Sequence, residues 1–205
     1  MFARDLSVAR YRSFDSYRLA LSDGVTVLAG PNAAGKTNLI EALQLLTSGA
    51  SFRHPTAAEL VHDGVGSCKV ELRLEGDGRV LDMGLSVEDG KRSFSRNGKR
   101  CAASGVRGVL PSVLFCPDHL DMVKRGASVR RAALDDFGVQ LSARYADLAS
   151  AYGRCVTQRN ALLKETWCCR EMLGAWNESI ARAGSALLVH RLALLDRLSG
   201  HVRDA

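Results

Sequence analysis

Apolar and polar positions follow two different rhythms along this chain. Up to Pro117 the period is two. Cys68, Val70, Leu72 and Leu74 alternate with Lys69, Glu71, Arg73 and Glu75, and Leu81, Met83, Leu85 and Val87 repeat the pattern. Each run predicts a strand with one buried and one wet face. Gly76-Asp77-Gly78, Asp89-Gly90 and Asn97-Gly98 mark turns, the last a strong hairpin signal. Leu6–Tyr11 and Tyr17–Leu21 predict a first hairpin around Ser13-Phe14-Asp15. Val25–Ala29 is an apolar, β-rich run and Val109–Phe115 an apolar run bounded by Gly108 and Pro117, which predicts buried strands of a central sheet. Past Pro117 the period becomes helical. Ser128–Phe137, Ser142–Lys164 and roughly Thr166–Leu198 contain no proline. Leu148, Tyr152, Cys155 and Val156, then Leu162, stand three or four apart, as do Met172 or Leu173, Trp176, Ile180, Ala183 or Gly184, and Leu187 with Leu188. Two helices of an antiparallel hairpin, packed on each other, account for that spacing. The pattern predicts an α/β lobe over residues 1–117 and a helical lobe over 118–205.

Between the Val25–Ala29 run and a helix predicted over Asn38–Leu46, ending near Ser48-Gly49, lies Gly30-Pro31-Asn32-Ala33-Ala34-Gly35-Lys36-Thr37. This fills G-x-x-x-x-G-K-[ST], the phosphate-binding loop. Backbone N–H groups at a helix N-terminus face anions, and the helix dipole favours negative charge there. Gly30 and Gly35 admit backbone angles that a β-carbon obstructs. Lys36 is placed to reach phosphate oxygens, and the Thr37 hydroxyl to ligate Mg²⁺. The loop therefore predicts ATP and Mg²⁺ as cofactors, with Asn38 closing the grip.

Composition narrows the picture. An apolar fraction of 46% and a charged fraction of 24% are those of a soluble globular protein. No run approaches the ~18 apolar residues of a membrane span, and no signal-peptide core follows Met1. A cytoplasmic location without membrane partners is the expectation. Cys68, Cys101, Cys116, Cys155, Cys168 and Cys169 form no C-x-x-C pair, which argues against zinc and for free thiols. The formal charge is +6; divided at Pro117, the first part holds 15 Lys and Arg against 12 acids and the second 13 against 10. Equal shares of +3 and no basic tail or charge block permit nucleic-acid contact without demonstrating it.

The chain resembles the RecF family, recombination-mediator ATPases related to SMC and Rad50 heads. Tyr11-Arg-Ser-Phe14 followed by Tyr17 is similar to its N-terminal hairpin, and Gly30–Asn38 with Glu41-Ala42 to its phosphate loop and helix. Ser51-Phe52-Arg53 stands where the family has S-[FH]-R. Phe115-Cys-Pro-Asp-His-Leu120 with Val123-Lys124 is similar to F-[SA]-P-E-D-L…V-K, Arg130-Arg131 with Leu134-Asp135 to R-R-R-F-L-D, and Gln158–Lys164 to Q-R-N-x-x-L-K. The resemblance implies an ABC-type ATPase head: an ATP-binding lobe with a mixed sheet, then a helical lobe. It also implies DNA repair and replication, the SOS response, recognition of DNA gaps and junctions, an ATP-dependent homodimer, and RecR- and RecO-type partners. Arg12 would lie near the nucleotide. Arg53, Lys124, Arg125, Arg130 and Arg131 are the candidate DNA contacts, and Phe115–Asp118 with His119 a candidate hinge.

Two departures matter. Asp118-His119 replaces Glu-Asp, and Arg125-Gly-Ala127 with Ala132 and Ala133 alters the segment around the paired arginines. Neither a Walker B strand nor a signature motif occurs; Leu134-Asp135-Asp136 and Leu194-Leu195-Asp196 both lie in helical patterns. In the family those motifs lie further along, so the resemblance implies an N-terminal portion that binds ATP, scarcely hydrolyses it and has no catalytic residue of its own. Competing readings are a non-catalytic module that pairs with another head, and a small-molecule kinase. The second needs an arginine-rich lid that the alternating strands at 66–97 do not supply.

Overall fold

The computed structural model of the chain describes residues 1–165 and 170–203. It divides into two compact units, Met1–Leu114 and Phe115–Ala205.

The first unit is built on a six-stranded sheet: β1 (Phe2–Tyr11), β2 (Phe14–Ala20), β3 (Ser67–Gly76), β4 (Arg79–Glu88), β5 (Lys91–Arg96) and β6 (Lys99–Cys101). The order is β2-β1-β3-β4-β5-β6, with every neighbour antiparallel. The three turns read from sequence each join strands in register across two residues, Gly76↔Arg79, Glu88↔Lys91 and Arg96↔Lys99. Asp77-Gly78, Asp89-Gly90 and Asn97-Gly98 all have positive φ, as a type I′ hairpin requires. The alternation resolves as predicted: Cys68, Val70, Leu72 and Leu74 are buried with Met83, Leu85 and Val87. Helix α1 (Lys36–Ser48) contributes Leu39, Ala42, Leu45 and Leu46 to the same core.

The two apolar runs behave differently from expectation, the second interrupted by Pro111-Ser112. Val25–Ala29 and Val109–Phe115 carry no strand ladder. Val25 is 88% exposed, Val27 79%, Val113 73% and Phe115 85%. Apolar β-branched composition states what a side chain prefers, but a strand also needs a partner edge. Among the described residues none lies beside these segments, so only Leu28, Val109 and Leu110 reach the core.

The second unit is helical: a short α2 (Asp121–Lys124), then α3 (Ala127–Leu141), α4 (Ala143–Leu162) and α5 (Arg170–Arg203). The predicted start of the last helix at Thr166, like Cys168-Cys169, lies outside the described residues. The predicted antiparallel hairpin is α4 on α5. Arg159 Nε donates to Asn177 Oδ1 at 2.6 Å, Tyr152 packs over Gly184, and Tyr145 meets His190 edge-on at 6.2 Å. Helix α3 adds Leu134 and Val139 to a core of Tyr145, Leu187 and Leu194.

Candidate nucleotide-binding site

The phosphate loop runs from Gly30 into α1. Ala33 and Gly35 have left-handed backbones, with φ 65° and 88°, and Gly35 is the N-cap. A β-carbon on Gly35 would lie 2.4 Å from the Phe14 ring, so only glycine lets the β1–β2 turn close on the loop. Asn38 and Leu39 N–H groups both donate to the Gly35 carbonyl. The N–H groups of Gly35, Lys36 and Thr37 meet no protein acceptor among the described residues, the usual condition of a first helical turn. Lys36 Nζ folds over the loop, donating to Gly30 O at 2.8 Å and Pro31 O at 2.6 Å. Thr37 is exposed, and its hydroxyl meets no partner among the described residues. Backbone donors, an ammonium and a hydroxyl thus stand on consecutive residues at the start of α1. The residues fit a Mg²⁺-nucleotide. A cleft of about 240 Å³ opens beside Lys36, lined by Phe14, Tyr17, Leu19, Val27 and Ala29.

Behind the loop lies a buried charge network that sequence reasoning did not foresee. Glu41, one turn into α1, is fully buried. Its carboxylate accepts from Arg12 Nε and Nη2 at 3.0 and 2.9 Å, Ser51 Oγ at 2.6 Å and Tyr11 Oη at 3.3 Å. Arg53 stands 3.5 Å away and also donates to Asn38 Oδ1 at 2.9 Å. Asn38 in turn donates to Ser13 Oγ at 3.1 Å. Arg12 and Arg53, expected at nucleotide and DNA, are thus both anchored on Glu41. Burial lowers the affinity of Arg12 for its proton, but the Glu41 hydrogen bonds and charge outweigh this and hold its pKa above the usual value. Burial first, then Glu41, pushes the Tyr11 phenol far up. Arg12 pays with a left-handed backbone at φ 52°. An acid within the apolar α1 stripe was the available signal.

The other proposed contacts group elsewhere. In the helical unit Lys124 ends α2, Arg130 donates to Arg125 O at 3.0 Å, and Arg125 pairs with Asp121 at 2.7 Å. Arg131 is exposed on α3. His119 Nδ1 accepts from the Cys116 N–H at 3.2 Å. Asp135 is bound to Arg191 at 2.9 and 2.6 Å and to Tyr145 Oη at 2.6 Å, so it ties three helices together. One reading needs correction: equal halves conceal a charge block. From Lys91 to Pro117 there are six cations (Lys91, Arg92, Arg96, Lys99, Arg100, Arg107) and no acid.

Fold and loop together define an ATPase head of the P-loop class, and the AAA domain profile matches residues 5–107. Over the whole chain the sequence is 36% identical to the DNA replication and repair protein RecF of Paenarthrobacter aurescens, covering 53% of that protein. RecF of Streptomyces avermitilis is 34% identical over 97% of the chain and 56% of the relative. Among solved structures, the recombination mediator protein RecF-ATPrS in the RecFOR pathway matches with TM-score 0.89 at 27% identity, over 96% of this chain and 55% of that one. RecF-ATP in the same pathway gives 0.87. The chain belongs to the AAA-domain family, is similar to RecF proteins along its whole length, and spans about half the length of the curated relatives it matches.

Proposed function

We propose that this chain is the ATP- and DNA-binding head of a RecF-like recombination mediator acting in DNA repair, replication and the response to damage. The observation that carries the reading is the start of α1, where Gly35, Lys36 and Thr37 follow one another with N–H groups that meet no acceptor among the described residues, beside the Lys36 ammonium and the Thr37 hydroxyl. On binding, Lys36 exchanges the Gly30 and Pro31 carbonyls for phosphate oxygens, while Thr37 serves Mg²⁺. Arg12, anchored beside the loop, borders the nucleotide. Hydrolysis is negligible, because the sequence holds no Walker B or signature motif and Asp135 is committed to Arg191. ATP-dependent pairing of two heads and partners of the RecR and RecO type follow from the relatives, two of whose structures are described within the RecFOR pathway. No described helix is long and apolar enough to cross a membrane. The exposed Val25, Val27 and Val113 favour one further reading, a module that pairs with another head chain. Size-exclusion chromatography with and without Mg-ATP tests both. ATP-dependent self-association supports the first, and a nucleotide-independent heteromer supports the second.

A further inference from the structure

The six cations of residues 91–117 equal the formal charge of the whole chain, +6, while the remaining residues balance at 22 cations and 22 acids. Two of the six are engaged: Arg92 donates to Pro55 O, and Arg107 donates to Ser48 O at 3.1 Å. Lys91 lies in register with Glu88 and next to Asp89, acids that offset its field. Three remain. Arg96, Lys99 and Arg100 surround the Asn97-Gly98 turn at the tip of the β5–β6 hairpin, all exposed and, among the described residues, without an ion-pair partner. Asp82, whose backbone bonds to Asn97 beside this turn, pairs with Arg73 at 3.5 Å.

Arg96 and Lys99 are direct cross-strand partners, so their side chains share one face. Like charges so opposed destabilise a hairpin. Among the described residues no ion pair supplies a counter-charge for this pair, and Lys99 and Arg100 stand exposed on β6, the edge strand of the sheet. An external polyanion relieves the repulsion. The hairpin's one aromatic, Phe94, is 7% exposed and belongs to the core, so no ring is offered for base stacking. Cations without stacking platforms or base-reading amides other than Asn97 suit backbone phosphates rather than base edges.

We propose that the β5–β6 hairpin tip, through Arg96, Lys99 and Arg100, is a sequence-independent contact for the phosphate backbone of DNA. This names a surface for the DNA-binding arm of the proposed function and rests on it. The hairpin strands β5 and β6 lie four and five strand spacings from β2, whose Phe14 abuts the phosphate loop, or about 19–24 Å across the sheet. Nucleotide binding is therefore independent of it.

The test uses the 205-residue chain and a fluorescein-labelled 30-base-pair duplex, titrated from 50 to 200 mM salt. The parent is compared with R96Q/K99Q/R100Q, with K91Q, and with K124Q/R125Q/R130Q/R131Q. Each lost phosphate contact lowers the log–log salt slope by about 0.9. The hairpin triple variant is expected to lose about 2.7 from the slope, so the parent's advantage shrinks roughly 40-fold across that range. The same loss on two unrelated duplex sequences, with K91Q nearly silent and Mg-ATP affinity unchanged, supports the proposal. Unchanged affinity and slope in the triple variant overturn it while leaving the DNA-binding reading standing, most clearly if the α2–α3 variant loses affinity instead. A parent that binds no duplex overturns both. Binding of the parent to vesicles of anionic phospholipid, in place of duplex and through the same three residues, overturns it as well.

Discussion

Glu41→Ala removes the carboxylate on which the β1–β2 turn, α1 and the Ser51–Arg53 segment converge. The variant leaves the Arg12 guanidinium, 19% exposed, and the Ser51 and Tyr11 hydroxyls without their acceptor. Removing one partner of a buried pair costs about 3–5 kcal/mol. Arg12 and Arg53 (37% exposed) retain access to water, which places the expected loss near the lower end, about 3 kcal/mol. Glu41→Gln keeps the shape and some hydrogen bonds, so it should cost about 2 kcal/mol. Arg12→Ala and Glu41→Ala should be strongly non-additive, with a coupling of about 2 kcal/mol. Arg12→Gly should be less harmful than Arg12→Ala by about 1 kcal/mol, because Arg12 holds φ 52° and glycine adopts it freely. Native-state hydrogen exchange over β1 and α1, read through urea, measures each value where the network acts. A loss below about 1 kcal/mol for Glu41→Ala, or additive single variants, would refute the network as a stabilising hub.

Further outcomes follow from the helical unit. A β-carbon at Gly138 would lie 2.5 Å from the Tyr145 ring, so Gly138→Ala should unseat that ring and cost about 1–3 kcal/mol in thermal or urea unfolding followed by circular dichroism. Burial acts to raise the Asp135 pKa, but hydrogen bonds from Arg191 and Tyr145 outweigh it and hold the carboxyl below its usual range. Its stabilisation is complete above a pH of about 3.9 and lost as pH falls through the lower folded value. Asp135→Asn should therefore melt well below the parent at pH 7, with the gap closing in acid. Burial, then Asp135, pushes the Tyr145 phenol up to about 12, so its contribution is full below a pH of about 10 and lost as pH rises toward 12. Tyr145→Phe should be insensitive to that alkaline step.

Much of this fold is written locally. The period-two runs name the buried faces of β3 and β4, and the Asp-Gly and Asn-Gly pairs fix their hairpins, because side-chain alternation and positive φ are properties of a few adjacent residues. The loop at Gly30–Thr37 is legible for the same reason. Val25–Ala29 and Val109–Phe115 show the boundary of such reasoning, since strand pairing depends on a distant edge that the run itself does not encode. The Glu41 network is long-range in the same sense: Arg12, Glu41 and Ser51 converge only after the sheet and α1 have packed. The basic hairpin was visible as charge all along. Only the strand register shows that Arg96 and Lys99 face the same side.

Isothermal titration of the chain with Mg-ATP puts the phosphate loop itself to trial. The parent should bind with one site. Lys36→Ala, which removes the ammonium now lying over Gly30 and Pro31, should weaken binding at least tenfold, the loss of a charge-assisted contact of about 1.5–3 kcal/mol. Thr37→Ala should weaken binding only when Mg²⁺ is present. A parent that gives no heat and no saturation, or a Lys36→Ala variant that binds as the parent does, would contradict the assignment of this loop as a nucleotide site.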